Sequence, residues 1–353
     1  MMKVANLVNK EIGVKKNIKK PKGLLETEMA GVNQILPIYY PWAWESYEKG
    51  VANNWVPTEI SMQKDIQHWK DDKFLTPDEK LVIKRCLGFF AGSESLVANN
   101  LLLSIHRWVT NPECRQYLLR QAYEEALHNH TIVYICDSLN LNISEVYEAF
   151  HNIPSIKDKN DFLMNITTDI NRPDFNTSTV KGKQELLRNL ITYYVICEGI
   201  MFYSGFAMLL SFGRQNKMPG VAEQIQYTLR DESLHIKFGI NLINTLKKEY
   251  ENIWPKKLDE EIIEHIKKAV ELEIAYANDV LPTGILGLNA EMFVDYVKYV
   301  ANRRLNALNL DYKFVTAGNP FPWMSEIIDL EKQKNFFETR VTSYTTGTLL
   351  DDL

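Results

Sequence analysis

YEEALHNH, residues 123–130, sets a glutamate and a histidine three apart, Glu125 and His128, within a long stretch whose apolar spacing is helical. LRDESLHIKFG, residues 229–239, repeats the arrangement with Glu232 and His235. Three residues apart on a helix, two side chains share one face. A carboxylate oxygen and an imidazole nitrogen placed there can hold one transition metal between them. With seven histidines in the chain, one such match means little by itself. Glu148 and His151 have the same spacing, but they close a short helix just ahead of Asn152-Ile153-Pro154 and read as a solvated helix end.

The arrangement around the two strong instances carries more weight. Glu94 lies 31 residues before Glu125, and Glu198 lies 34 residues before Glu232. Each lone glutamate sits among apolar neighbours: Leu87, Phe90 and Leu101 for Glu94, and Tyr194, Met201 and Phe202 for Glu198. The chain therefore reads as two similar halves, each a helix with one inward Glu followed by a helix with Glu-x-x-His. Ferritin-like di-iron and di-manganese bundles build their sites from this ligand set. Four carboxylates and two histidines around two divalent ions neutralise charges that would be costly to bury alone. The expected fold is all-α, a ferritin-like helical bundle with a two-metal carboxylate site and additional helices.

Elsewhere in the chain strand signals are nearly absent. Thr76-Pro77-Asp78-Glu79 spells a capping threonine, a proline at the first helical position and a glutamate three residues after the cap. The helix it opens is expected to reach about Trp108, where Asn111-Pro112 interrupts. Further long helices are expected over about 113–139, 184–212 and 219–250, with others at 61–71, 144–151, 258–276 and 290–308. Leu190 to Phe212 is long enough to cross a bilayer and carries one charge, Glu198. A lone glutamate at mid-span needs partners. Three other helices offer carboxylates, so a helix buried at the centre of a bundle is the better reading. No low-complexity linker divides the chain. The expected organisation is a flexible N-terminal segment 1–30, one helical domain 31–336, and a mobile C-terminal tail 337–353.

The chain is 45% hydrophobic and 24% charged, ordinary for a globular protein with a sizeable core. A net charge of −5 gives no support for a nucleic-acid or anionic-membrane partner. The four cysteines, Cys86, Cys114, Cys136 and Cys197, lie far apart in apolar helical stretches and read as buried thiols in a reducing cytoplasm. The lysine-rich start lacks the apolar core of an export signal. No Gly-rich phosphate loop is visible.

FFAGSESLVANNL, YEEALHNH, CEGIMFYSGF and LRDESLHIKFG together resemble the signatures of the small, radical-generating subunit of class I ribonucleotide reductase. The resemblance runs through the chain after the first thirty residues. It implies that Glu94, Glu125, His128, Glu198, Glu232 and His235 bind two metal ions per chain. It also implies a homodimer that docks through its C-terminal tail on a large catalytic subunit. The family uses a buried tryptophan bonded through an aspartate to a metal-bound histidine, and Trp55, Asp231 and His128 match those positions. Tyr344, in VTSYTTGTLLDDL, matches the family's essential tail tyrosine. Members that store a tyrosyl radical carry tyrosine four residues after the first ligating histidine, and here that residue is Ile132. An aliphatic side chain cannot be oxidised at an accessible potential. In this the chain is similar to the chlamydial-type class Ic group, which has phenylalanine there and keeps the equivalent on manganese and iron. Mn/Fe is thus the implied cofactor, with Fe/Fe the alternative. Tyr227 matches a tyrosine that relays an electron during class Ic activation, and Phe202, beside Glu198, joins the candidate catalytic positions. Tyr194, one turn before Glu198, is expected in ordinary packing near the metals. The implied reaction takes up dioxygen and passes one oxidising equivalent to the large subunit, which reduces ribonucleotides.

Two other readings use the same scaffold. A ligand-binding two-metal oxidase also lacks the radical tyrosine, but has no need for Trp55, Asp231 or the tail bearing Tyr344. A ferritin-like iron store would be a shorter four-helix chain.

Overall fold

Thr76 closes the capping box that its sequence spells. Its hydroxyl accepts from the Glu79 backbone N–H at 3.2 Å, and its own N–H donates to the Glu79 carboxylate at 2.9 Å. The computed structural model describes residues 23–27, 34–167, 169–285 and 287–324, and among these the chain is helical, with no strand. The expected tail 337–353, Tyr344 included, lies outside the described residues. So does most of the expected segment 1–30. Residues 23–27 are packed, however: Leu24 is buried, its N–H donates to Glu249, and its carbonyl accepts from Thr110 and Asn111.

The helices are α1 (Pro41–Ala52), α2 (Gln63–Lys70), α3 (Pro77–Asn100), α4 (Pro112–Leu139), α5 (Ile143–Tyr147), α6 (Ala149–Asn152) and α7 (Pro154–Ile166), then α8 (Val180–Leu190), α9 (Tyr203–Arg214), α10 (Pro219–Glu249), α11 (Lys256–Val280) and α12 (Ala290–Leu308). Two π-helical runs interrupt the regular hydrogen bonding. Leu101–Ile105 continues α3 towards Trp108, and Ile191–Met201 joins α8 to α9. The expected helix at 144–151 is broken at Glu148 into α5 and α6, and Glu148 and His151 are both exposed. Two helices were not expected. In α1 the apolar residues form no long periodic stripe. In α7, Pro154 stands at the first helical position, so the proline that ends one helix opens the next.

Helix ends are tied down by specific groups. The Asn111 side chain caps α4 by accepting from Cys114 N–H at 2.9 Å. The first turn of α10 is capped from another element. The fully buried Asp65 carboxylate of α2 accepts from the N–H groups of Gly220 at 2.8 Å and Val221 at 2.9 Å. Those are donors with no partner inside the helix, at its positive end.

Helix α3 packs on α4, and α10 packs on α9 and on the π-helical run, giving the four-helix core. Gly239 of α10 makes one close approach possible, because a Cβ there would lie 2.1 Å from Tyr194 Cγ. The apolar stretch expected at the centre of a bundle is there: the most apolar window of Val180–Arg214 is wholly buried. Helices α7, α11 and α12 pack outside this core, and α11 and α12 touch the π-helical run. All four cysteines are buried free thiols.

Candidate metal centre

Each of the four core segments carries its candidate ligands inward. Glu94 comes from α3, Glu125 and His128 from α4, Glu198 from the π-helical run, and Glu232 and His235 from α10; each is at most 1% exposed. The imidazole rings face each other with centroids 5.8 Å apart. His128 Nδ1 lies 3.1 Å from Glu232 Oε1, 3.6 Å from Glu94 Oε2 and 3.7 Å from Glu125 Oε2. His235 Nδ1 lies 3.3 Å from Glu125 Oε1 and 3.5 Å from Glu232 Oε2.

Glu125 and Glu232 therefore each turn one oxygen to each histidine, the placement of two bridging carboxylates. Glu94 stands at the His128 side, and Glu198 groups with Glu125 and His235. These are two adjoining ligand sets that share Glu125, with Glu232 also turned to both histidines. Their inward atoms have no hydrogen-bond partner: Glu94 Oε2, Glu125 Oε2, His128 Nδ1, His235 Nδ1, and both oxygens of Glu198 and Glu232. Buried polar atoms in folded proteins are mostly paired, so eight unpaired atoms converging on one spot fit a pair of cations held among N and O donors.

The electrostatics describe the same crowding. Burial pushes the Glu94 carboxyl up to about 8, against the pull of His128. Burial, with the charges of Glu232 and Glu125, holds Glu198 well above the usual carboxylate range. Burial also works against charge on Glu232, but His235 and His128 outweigh it and bring its carboxyl down to about 2. Burial opposes charge on both imidazoles too, yet Glu94 beside His128 and Glu232 beside His235 keep both well above the usual histidine range. Protons on the rings balance the carboxylates, and divalent cations would take over that role.

Trp55, buried between α1 and α2, donates from Nε1 to Asp231 Oδ2 at 2.7 Å. The same oxygen lies 3.6 Å from His128 Nε2, just beyond hydrogen-bond distance. Burial raises the Asp231 carboxyl, but His128, Arg230 and Trp55 together leave it below the usual carboxylate range.

The family described as "Ribonucleotide reductase, small chain" matches residues 32–320. The chain is 55% identical over 326 residues to the Chlamydia pneumoniae ribonucleoside-diphosphate reductase subunit beta, spanning 92% of this chain and 94% of that protein. It is 32% identical to the Plasmodium falciparum ribonucleoside-diphosphate reductase small chain, over 88% of this chain and 82% of that one. The chain belongs to the ribonucleotide reductase small-chain family. A solved member from Clostridium botulinum superposes with a TM-score of 0.77 at 29% identity, covering 90% of this chain and 99% of its own.

Tyr227 packs against Trp55 with ring centroids 5.2 Å apart and planes tilted by 44°, and its hydroxyl donates to Glu223. Ile132 is buried one turn past His128. Phe202 is buried against Phe89, Phe90 and Phe206. Tyr194 does more than pack: its hydroxyl donates to Gln121 Oε1 at 2.8 Å, and Gln121 Nε2 donates to Glu125 Oε1 at 3.3 Å.

One carboxylate escaped the sequence reading. Glu124 Oε2 lies 2.9 Å from His235 Nε2, and Arg120 holds its other oxygen at 2.9 Å. Glu124 precedes Glu125 as Asp231 precedes Glu232, so each Glu-x-x-His half sends its preceding carboxylate to the histidine of the other. The repeated acidic pair was the available signal. The outer carboxylate fixes which ring nitrogen faces inward.

Proposed function

We propose that this chain generates and exports the oxidising equivalent that starts ribonucleotide reduction on a separate large subunit. The observation that carries the reading is the continuity of one buried constellation, from the six-residue cluster through His128 and Asp231 to the Trp55 indole. Glu94, Glu125, His128, Glu198, Glu232 and His235 would hold the two ions. When bound, the metal pair supplies a redox centre that dioxygen can oxidise.

The protein's own groups do the rest. Asp231, ionised despite its burial, orients the indole and offers Oδ2 as acceptor for the Nε1 proton when Trp55 gives up an electron. Arg230 holds the second Asp231 oxygen at 3.2 Å, so the carboxylate keeps its orientation. Tyr227, packed against Trp55, gives a second aromatic at the same exit. Tyr344 would carry the equivalent across to the large subunit, with the tail as the docking segment.

Ile132 offers no phenol at the position of the radical tyrosine, and this supports an equivalent kept on the metals, as manganese with iron. A row of exposed apolar residues on α4, Leu119, Tyr123 and Val133, supports a homodimer. Buried thiols and the buried apolar helix support a cytoplasmic protein.

Trp55→Phe tests the relay in the complex reconstituted with the large subunit. The variant should keep its metal content and its uptake of dioxygen but lose nucleotide reduction. Full turnover by the phenylalanine variant contradicts the relay.

A further inference from the structure

Two buried cations from outside the four ligand-bearing segments end on the backbone that follows Glu198. Arg304 of α12 donates from Nε to the Gly199 carbonyl at 2.8 Å. Lys159 of α7 donates from Nζ to the Met201 carbonyl at 3.1 Å. Arg304 is 9% exposed and Lys159 is fully buried. Lys159 is ion-paired with Glu273 of α11, itself fully buried, and lies over the rings of Phe89 at 3.3 Å and Tyr276 at 4.1 Å. Ammonium, carboxylate and guanidinium groups are costly to bury, and a core built only for stability would do as well with apolar side chains.

Their targets lie in the Ile191–Met201 run, where the helix is widened to hydrogen bonds five residues apart, as in Phe202 N–H to Cys197 O at 3.1 Å. Such widening is rare and recurs at functional sites. Gly199 leaves room for the guanidinium, because a Cβ there would lie 3.2 Å from Arg304 Nε.

The Glu198 side chain is otherwise unguided. Neither of its oxygens has a hydrogen-bond partner, whereas Glu125 is held by Gln121. With no hydrogen bond to orient it, the Glu198 carboxylate takes its position from its backbone, and the backbone beside it is held by the two cations.

We propose that Arg304 and the Lys159–Glu273 pair are positioning residues for Glu198. They hold the widened turn so that its carboxylate reaches the His235 side of the centre. The proposal rests on the metal-centre reading and concerns only one of the two ligand sets, so it predicts an asymmetric effect. The hydrogen bonds and the ion pair given for the two cations go to Gly199, Met201 and Glu273 and not to Glu94 or His128, although Lys159 also lies over Phe89 of α3.

The test uses the full chain stripped of metal and titrated with cobalt(II), following its visible spectrum and the bound stoichiometry. Arg304→Met removes one anchor. The double variant Lys159→Met with Glu273→Leu removes the other without leaving a buried charge unpaired, which keeps the core foldable. Both should show one site weakened by about 10- to 100-fold, with an altered cobalt spectrum, and one site unchanged. The double variant should keep its helical circular dichroism and thermal midpoint, and Arg304→Lys should recover part of the lost affinity. Folded variants that bind both ions as the unaltered chain does would overturn the proposal. So would equal weakening of both sites in step with the thermal midpoint. Failure of the unaltered chain to bind a pair of ions would instead remove the metal-centre reading.

Discussion

Glu232 touches both histidines, with Oε1 at 3.1 Å from His128 Nδ1 and Oε2 at 3.5 Å from His235 Nδ1. Its loss should therefore reach both ligand sets, unlike that of Glu94 or Glu198, which stand at one side each. Glu232→Ala should bind at most one ion per chain and stay helical by circular dichroism; a variant that still binds two ions would remove Glu232 from the ligand set. At this scale much of the site was legible in advance. Glu-x-x-His is a local pattern, and helical spacing alone puts both side chains on one face. The repeated acidic pair marks Glu124, but its contact with His235 spans 111 residues of sequence and joins two different helices, so the local pattern does not name the partner. Gln121, which connects Tyr194 to Glu125, is invisible for the same reason.

Among the elements, the long helices were legible because caps and apolar periodicity are local, and α12 runs over 290–308 as expected. The π-helical run was not, because its residues are as apolar as those of a regular buried helix. Side chains from α7 and α12 meet its backbone at the Met201 and Gly199 carbonyls, contacts that no local pattern announces. The start of α10 also depends on tertiary contact, since its first N–H groups are met by Asp65 from α2. Asp65→Ala leaves the Gly220 and Val221 donors buried without partners, at a cost of about 1–3 kcal/mol each before any relaxation. Chemical denaturation should show a loss of at least about 1 kcal/mol with little change in the metal-bound spectrum. A variant as stable as the unaltered chain would mean that water replaces the carboxylate there.

Across the whole molecule, the described surface carries one feature that a monomer does not explain. Leu119, Tyr123 and Val133 lie on one exposed face of α4, at 53%, 44% and 44% exposure, and Leu102 and Leu103 of the first π-helical run are also exposed. Exposed apolar rows of this kind mark association surfaces. Replacing Leu119 and Tyr123 together by glutamate should shift the protein from dimer to monomer in sedimentation velocity, with the metal content of each chain unchanged. A dimer that persists would place the interface on another face. Composition and the buried apolar helix made the all-helical class legible from sequence, whereas the outward rows on α4 and the π-helical run emerge only when the helices are assembled.

An oxidising equivalent that resides on the metals and leaves through Trp55 needs no tyrosine at position 132, where the chain has isoleucine. Metal analysis paired with electron paramagnetic resonance tests this most directly, on protein purified from its native cell and assayed with its large subunit. Each active chain should hold manganese and iron together, with no sharp organic radical signal in the active state. Full activity from protein holding iron alone, accompanied by a tyrosyl signal, would contradict it.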